Sequence, residues 1–218
     1  KYTNSMSNAL EAASLIMVPS GYENGTLASV KPNDGTGDFT FSRGSNLSAT
    51  RINEQGYIEK GYENLLLQSN SFDTTWANLN TTETGGQADK DGGATAWLLE
   101  KSSAGGSLKQ DINTSGVNTF SAYVKAGSLN WIRIATSTGF VGCWINILDG
   151  VFGSVSSRII DTNIESAGND FYKISISFTD SISNIQVIPA EGNNVLGTSG
   201  SIYIQDAMLN QGLVAYPY

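Results

Sequence analysis

The sequence predicts an all-β protein whose main body is a β-sandwich. Stretches that alternate apolar and polar residues recur from residue 64 onward, at the spacing of roughly 8 to 12 residues that is typical of sandwiches and barrels. Turn-forming residues separate these stretches, and the chain of 218 residues holds 24 glycines. No helical period of apolar residues lies between them. Fold class therefore follows from strand periodicity and turn residues together.

The amino-terminal residues are where the sequence predicts a helix. Ser7 is a suitable N-cap, and NALEAASLIM consists of good helix formers with Leu10, Ala13 and Met17 on one face. We expect one short helix within residues 1 to about 16, capped by Ser7. It either docks on its own domain or packs against neighbouring subunits.

Residues 1–62 as a whole are predicted to form an extended, partly β attachment and oligomerisation segment. Proline and glycine interrupt residues 18–37 and leave TLASVKP as one short strand. DFTFSR alternates like a strand, and ATRINEQGYIEKGYEN predicts a small hairpin around Gly56. The apolar content is too low for a separate core, so this segment is expected to order on assembly with other proteins.

Residues 63–218 are predicted to form the sandwich, which opens with NLLLQSNSFDTTW. The apolar run Leu65–Leu67 indicates a buried first strand, and a loop anchored by Phe72 and Trp76 follows it. Trp76 and Trp97 have apolar neighbours, so both are expected in the core.

The later strands are predicted from alternation. NTFSAYVKAG places Phe120, Ala122 and Val124 on one side, and WIRIAT repeats the pattern. The pair Asp149–Gly150 indicates a hairpin turn. FYKISISFT, NIQVIPA and SIYIQDAML complete the predicted set of strands.

Composition excludes several classes of function. The formal net charge of -8 makes nucleic acid an unfavourable partner, and no apolar run approaches the roughly twenty residues that a membrane helix needs. The chain has no histidine, which removes the usual general base and the commonest metal ligand. Its single cysteine, Cys143, lies in an apolar run and is predicted to be buried. We therefore expect a protein that is not an enzyme.

The order of these stretches resembles a known group of domains. NLL followed by Phe and Trp, then TFSAYVKAG, WIRI, FYKISISF and SIYIQDAMLNQG, resemble the jelly-roll carbohydrate-binding modules of families four, nine and twenty-two. The resemblance spans residues 64 to 212. It implies that the sandwich is a jelly roll with a surface suited to sugars.

A second resemblance covers nearly the whole chain. DFTFSRGSNLSATRINEQGYIE followed by ENLLLQSNSF is similar to virion fibre and tail-appendage proteins of bacteriophages, especially those of Bacteroidetes hosts. In such proteins the segment that corresponds to residues 18–62 precedes the module and belongs to the virion structure. This resemblance implies an extracellular virion component, with residues 1–62 attached to other virion proteins.

Sugar recognition requires flat aromatic surfaces for the C–H side of a pyranose and planar polar side chains for its hydroxyls. Alternation places several such side chains away from the core, and the sequence predicts that one concave sheet presents all of them. The same composition is typical of a protein interface, so this surface is either a sugar groove or a subunit contact. The predicted site consists of Tyr123, Trp131, Arg133, Trp144, Lys173 and Gln186.

The resemblance to carbohydrate-binding modules also implies a structural calcium ion. Those modules often hold calcium between the first strand region and an acidic residue of the last strand. Asp206 occupies the matching place in IYIQDAML, and Asp73 lies in the opposite region. Two carboxylates do not make a complete oxygen cage, so the ion is a possible structural cofactor only.

The function predicted from the sequence is a virion structural protein, on the head or the tail, that displays a carbohydrate-binding-like domain for adhesion to host or mucus glycans. A homo-oligomer, most plausibly a trimer, would convert weak single sites into lasting adhesion. The alternatives are a carbohydrate-binding module of a secreted polysaccharide-degrading enzyme, a purely structural virion subunit, and a depolymerase that acts at a subunit boundary.

Overall fold

The computed structural model describes residues 11–23, 26–40, 50–52, 58–60, 63–136 and 141–216. The chain divides into two compact units, Lys1–Gly61 and Tyr62–Tyr218. Both units are built from antiparallel β-structure in their described parts. The all-β class predicted from the sequence is therefore confirmed.

The described residues of the first unit form five short strands. β1 (Ile16–Glu23), β2 (Thr26–Lys31) and β3 (Phe39–Thr40) form one sheet, and β4 (Thr50–Ile52) pairs with β5 (Ile58–Lys60). The predicted strand TLASVKP corresponds to β2. The predicted hairpin corresponds to β4 and β5, with Arg51 opposite Glu59.

The predicted amino-terminal helix is partly corrected. Residues 1–10, including the Ser7 cap and Leu10, lie outside the described residues. Glu11 and Ala12 are helical, but strand β1 begins at Ile16, so Met17 lies opposite Ser29 of β2 rather than on a helix face. Pairing with β2 gives backbone partners to both ends of this proline-containing strand, and tertiary pairing thereby overrides local helix propensity.

The second unit consists of two six-stranded antiparallel sheets. The first sheet has the strand order β14-β15-β10-β17-β8-β7. Its members are β7 (Thr81–Gln87), β8 (Ala96–Lys101), β10 (Val117–Ala126), β14 (Ile159–Ser166), β15 (Tyr172–Thr179) and β17 (Gly200–Gln211).

The second sheet has the strand order β13-β12-β11-β16-β9-β6. Its members are β6 (Ala77–Leu79), β9 (Ser107–Thr114), β11 (Trp131–Thr136), β12 (Gly142–Asn146), β13 (Val151–Val155) and β16 (Ile182–Ala190).

This strand order is that of a jelly roll. The inner strands of the first sheet are β8, β17, β10 and β15, and those of the second are β9, β16, β11 and β12. If these eight strands take the letters B to I in chain order, the sheets read B-I-D-G and C-H-E-F, which is two interlocked Greek keys. The remaining strands extend the edges as the hairpin partners β13 and β14 and the short strands β6 and β7.

The core lies between the two sheets and is formed by the inward side of each strand. Phe120, Ala122 and Val124 of β10 face Ile132 and Ile134 of β11 through a single apolar cluster. Cys143 is fully buried there, and burial raises the pKa of its thiol to about 12. The thiol is therefore a packing group at neutral pH, as the sequence predicts.

The stretch before the sandwich is not the strand that its apolar run predicts. Leu66 is buried but Leu67 is 65% exposed, and the run forms bends and turns instead of a strand. Leu67 N–H donates to Gln110 Oε1, and Asn64 pairs through its side chain with the backbone of Leu209. Side-chain amides thus supply the backbone partners that a sheet would otherwise provide.

Candidate functional site

The outer face of the second sheet carries the densest group of predicted site residues. Ile132 and Ile134 point into the core, so Trp131 and Arg133 point outward from the same strand. Trp144 of β12 lies directly opposite Arg133 in the register. All three outward side chains are half-buried. Strand alternation and pairing therefore bring two indole rings and one guanidinium to one surface.

Arg133 and Trp144 form a stacked pair. The guanidinium carbon lies 5.5 Å from the centroid of the Trp144 ring, within the range of a cation–π contact. Such a contact orients the guanidinium and leaves its N–H edges available to a further acceptor.

Trp131 is positioned by the absence of a side chain at Gly153. A Cβ atom at Gly153 would lie 2.7 Å from the Trp131 ring and 2.6 Å from Asn193 Oδ1, which is closer than real side chains approach. Only glycine at this place in β13 allows the indole to lie against the strand.

A groove borders the stacked pair. It has a volume of about 250 Å³ and is lined by Arg133, Gly142, Trp144, Ser154, Val155, Ser156 and Asn194. Its wall consists of hydroxyl and amide groups from β13 and from the loop between β16 and β17. An aromatic surface beside short polar side chains matches the general chemistry of sugar recognition.

The wall of the groove is held by hydrogen bonds. Ser154 N–H donates to Asn193 Oδ1 at 2.9 Å, and Asn194 Nδ2 donates to Ser154 Oγ at 2.7 Å. The loop that carries both asparagines is anchored from below by Lys101, whose ammonium donates to the carbonyl of Leu196. These wall residues were not predicted from the sequence, because a serine in a strand and asparagines in a loop carry no periodic signal.

Gln186 lies on the same outer face but does not line the groove. It stands opposite Ala135 of β11 and Lys109 of β9, on the far side of β11 from Trp144. Its side-chain nitrogen donates to Asn184 Oδ1 at 3.0 Å. The structure thus places Gln186 on the predicted surface with one local partner.

Tyr123 and Lys173 lie on the other sheet, so the prediction that one sheet presents all six residues is wrong. Tyr123 belongs to β10 and stands directly opposite Lys173 of β15, on the outer face of the first sheet. Alternation identifies the face of a strand but not the sheet that the strand joins. Because β10 and β11 belong to different sheets, their outward side chains point to opposite sides of the sandwich.

The surface around Tyr123 is occupied by neighbouring side chains. The ammonium groups of Lys90 and Lys173 lie 4.9 and 5.9 Å from the centroid of its ring. Burial raises the pKa of the Tyr123 hydroxyl. Farther along this face, Thr119 Oγ1 donates to the carbonyl of Gly212, so the carboxy-terminal stretch covers part of the sheet. A groove of about 370 Å³ nevertheless lies on this face, where Lys173 and Ser175 line it together with residues of β14 and the carboxy-terminal stretch.

The two carboxylates of the implied calcium site lie in different surroundings. Asp73 is exposed, whereas Asp206 is buried at a bulge in β17 beside Gln205, which donates to its Oδ2. Burial raises the pKa of Asp206, and the charges that act on it belong to Lys90, Asp91 and Asp89. In the part of the chain that the structure describes, no three acidic or cysteine side chains form a metal-binding group.

Asp89 is engaged in holding its own loop. Its Oδ1 accepts from the N–H groups of Asp91 and Gly93, and its Oδ2 accepts from the N–H and hydroxyl of Thr95. The hydroxyl of Thr95 and these N–H groups lower the pKa of Asp89 to about 2. Four donors leave this carboxylate little capacity for a ligand.

Comparison with known proteins identifies similar solved structures but no family. No protein-family model and no curated protein sequence matches the chain. A Clostridium thermocellum endo-1,4-β-D-xylanase 10B comprising CBM22-1 and GH10 modules, complexed with xylohexaose, has 11% identity and a TM-score of 0.42. The alignment covers 69% of this chain and 29% of that chain.

Two further solved structures are similar over the same share of the chain. The enzymatically active domain of tailspike protein 4 of bacteriophage CBA120 has 13% identity and a TM-score of 0.34 over 68% of this chain and 21% of that chain. The carbohydrate-binding module TmCBM61, in complex with β-1,4-galactotriose, has 12% identity and a TM-score of 0.33 over 69% of this chain and 100% of that chain.

The similarity to these three solved structures concerns the fold alone. The strand order establishes the jelly roll, and carbohydrate-binding modules are among the solved structures that resemble it. Within the described residues, no helix has the length and hydropathy to span a membrane.

Proposed function

We propose that residues 63–218 act as a non-catalytic carbohydrate-binding module whose glycan surface is the outer face of the second sheet. The observation that carries the proposal is the juxtaposition of Trp131, Arg133 and Trp144 beside a groove of about 250 Å³. The indole rings offer flat apolar surfaces, and Ser154 and Asn194 offer short polar groups at the wall.

The biological setting that we propose is a phage virion. Residues 1–62 would attach to other virion proteins and the jelly roll would be displayed outward as a fibre or decoration domain. The support is the sequence resemblance of DFTFSRGSNLSATRINEQGYIE and ENLLLQSNSF to virion appendage proteins. Several copies in a homo-oligomer would raise the lifetime of adhesion by avidity. Detection of the chain in purified particles by mass spectrometry tests this setting.

The same composition favours a second candidate, a contact between subunits. Tryptophan and arginine are the residues that dominate protein interface energies when they are desolvated together. In that case Trp131 and Trp144 would be covered in the assembled protein and the role of this face would be structural.

One experiment separates the two candidates. The full chain and the variants Trp131→Ala and Trp144→Ala are tested on a glycan array and on host cells, and their oligomeric state is measured by native mass spectrometry. Tyr203→Ala is the matched control, because Tyr203 is a half-buried aromatic residue of the first sheet with the Lys125 ammonium 5.7 Å from its ring. Urea unfolding verifies that each variant is folded.

We expect the wild type and Tyr203→Ala to bind glycan and each tryptophan variant to lose binding with its oligomeric state unchanged. Removal of an aromatic side chain on which a nucleic-acid base stacks costs roughly 1–3 kcal/mol, and a loss of the same order here would lower affinity about 5- to 150-fold. Loss of the oligomer without any glycan binding by the wild type would favour the subunit contact and overturn the proposal.

A further inference from the structure

The groove on the second sheet has an unusual charge for this protein. The chain as a whole has a formal net charge of -8. Among the described residues that line the groove, however, Arg133 is the one with a formal charge, and serine, asparagine, tryptophan, valine and glycine make up the remainder. The groove is therefore a local positive site on an acidic protein.

Arg133 is not neutralised by a carboxylate within the described part of the chain. Ion pairs there join Lys90 to Asp91 and Lys109 to Asp111, and Arg158 pairs with Asp180 at 3.0 Å. Arg133 takes part in none of these pairs. Its contact is the face of Trp144, which attracts the cation but accepts no hydrogen bond in the plane of the guanidinium.

The half-buried guanidinium of Arg133 has no acceptor in the described part of the chain, so its N–H groups are left to solvent or to a ligand. Burial removes part of its hydration, and its five N–H donors keep a fixed, planar arrangement. The acceptor that matches this geometry best is an anionic group with two oxygen atoms, which can take two parallel hydrogen bonds. Neutral sugar hydroxyls match it less well because each offers one oxygen and no charge.

We infer that the glycan recognised by this groove is acidic, with a carboxylate or sulfate group bound by Arg133 while a neighbouring sugar ring lies against Trp131 or Trp144. This inference rests on the proposed carbohydrate-binding function and specifies its ligand class. Because the Arg133 guanidinium already lies over the Trp144 ring at 5.5 Å, a ligand that binds there has less side-chain freedom to remove, which lowers the ordering cost of binding.

The net negative charge of the protein does not prevent such binding. At physiological ionic strength the Debye length is about 8 Å, so exposed carboxylates farther away than this are largely screened. Contact at the groove is then governed by Arg133 itself. Because added salt weakens both the attraction to Arg133 and the general repulsion, the effect of salt alone is not diagnostic. Substitution of Arg133 is the decisive test.

The experiment compares matched oligosaccharides by isothermal titration calorimetry on the full chain. The probes are an oligogalacturonate for the carboxylate, a sulfated galactan oligosaccharide for the sulfate, and a neutral xylo-oligosaccharide of equal length. The proteins are the wild type, Arg133→Gln, Arg133→Lys and the control Arg158→Gln, which removes an arginine that is paired with Asp180.

We expect the wild type to bind one acidic probe at least about tenfold more tightly than the neutral probe, which corresponds to about 1.4 kcal/mol. Arg133→Gln should abolish this preference, because it should weaken binding of the acidic probe at least about tenfold more than binding of the neutral probe. Arg133→Lys should keep part of the preference because lysine retains the charge without the planar fork. Arg158→Gln should behave like the wild type. Whichever acidic probe responds identifies the anionic group.

Two results would overturn the inference in distinguishable ways. If the neutral probe binds as tightly as both acidic probes and Arg133→Gln affects all of them equally, the ligand class is wrong while the proposed carbohydrate-binding function stands. If none of the three probes binds and the glycan array is also negative, the inference fails together with that function.

Discussion

The ammonium of Lys101 donates a hydrogen bond of 2.7 Å to the carbonyl oxygen of Pro189, and this bond joins the two sheets of the jelly roll. Lys101 lies on the inward side of β8, two residues after the core residue Leu99, and is only 4% exposed. The same ammonium donates to Leu196 in the loop that carries Asn194. A single buried cation therefore supports both the rim of the core and the wall of the groove.

Replacement of Lys101 by methionine tests this connection. Lys101→Met keeps most of the side-chain volume but leaves the carbonyl groups of Pro189 and Leu196 without their donor, so we expect a loss of about 1–2 kcal/mol in the free energy of unfolding at pH 7. The control is Lys109→Met, which removes a partly exposed ion pair with Asp111 and should cost less than about 1 kcal/mol. Urea denaturation measures both.

The pH dependence of the same variant has a defined sign. Burial lowers the pKa of Lys101 below its usual value of 10.5. The folded state therefore prefers the neutral amine, and the contribution of this lysine to stability rises as the pH increases through its folded pKa toward 10.5. The stability difference between the wild type and Lys101→Met should widen over this range. A difference that narrows would contradict the buried position of the ammonium.

Gly153→Ala is expected to disturb the groove through both Trp131 and Asn193, whose side-chain oxygen accepts from Ser154 N–H. The added methyl would lie 2.7 Å from the Trp131 ring and 2.6 Å from Asn193 Oδ1, so one of them must move. Overpacking of this kind costs about 1–3 kcal/mol. Intrinsic tryptophan fluorescence and urea denaturation report the displacement and its cost.

Gly105→Ala is the matched control for this substitution. Nothing lies within 4 Å of the position that its Cβ would occupy, so the change should stay within about 0.5 kcal/mol of the wild type. Equal effects of the two substitutions would mean that Trp131 does not depend on Gly153.

Phe72→Ala is expected to be among the most destabilising substitutions in the second unit. The ring is 0% exposed and lies edge-on to Trp76 and Trp97, with centroid distances of 5.1 and 6.0 Å. Removing it leaves a cavity between two tryptophans, and such truncations cost about 3–5 kcal/mol. Leu67→Ala is the control from the same stretch, and its exposed side chain should contribute little. A small effect of Phe72→Ala in urea denaturation would contradict the anchoring role.

The sequence predicts those strands whose two faces differ strongly in polarity. β10 and β15 alternate apolar with polar residues in the sequence, so both are identified correctly, although Ser121 and Ser177 on the outer side are also buried. β7 (Thr81–Gln87) and β14 (Ile159–Ser166) were missed, because they are edge strands of mostly polar residues. An edge strand has a neighbouring strand on one side only and buries less of its surface. Its residues are therefore mostly polar, and the sequence resembles that of a loop.

The candidate site was only partly predictable for a related reason. The sequence identifies Trp131, Arg133 and Trp144 because β11 and β12 form one hairpin and so share a sheet. Alternation along each strand then shows which of its residues point outward. Alternation also makes Tyr123 point away from the core, so the sequence predicts it on the same surface. However, its strand, β10, belongs to the other sheet. In a jelly roll the chain crosses between sheets repeatedly, so a prediction of site residues requires the topology as well as the period.

Asp89 provides a prediction about acid stability. Its four hydrogen bonds lower its folded pKa to about 2 from a usual 3.8, so the charged form stabilises the folded state. This stabilisation is fully present above pH 3.8 and is lost as the pH falls through about 2. Asp89→Asn cannot accept all four hydrogen bonds. Its amide nitrogen is a donor, and it would replace one of the two oxygens that accept from N–H groups in Asp89. The variant should therefore be less stable at pH 7, and its difference from the wild type should shrink as the pH falls from about 5 to about 2.

The measurement is urea denaturation of the wild type and the variant at several pH values across that range. Asp73→Asn is the matched control, since Asp73 is an exposed carboxylate in the turn after Phe72 and should change stability by less than about 0.5 kcal/mol at any of them. A constant difference between the wild type and Asp89→Asn at every pH would mean that the loop is held by the shape of the side chain and not by its charge. A difference that closes toward low pH identifies the carboxylate as the group that organises residues 89–95 beside the outer face of the first sheet.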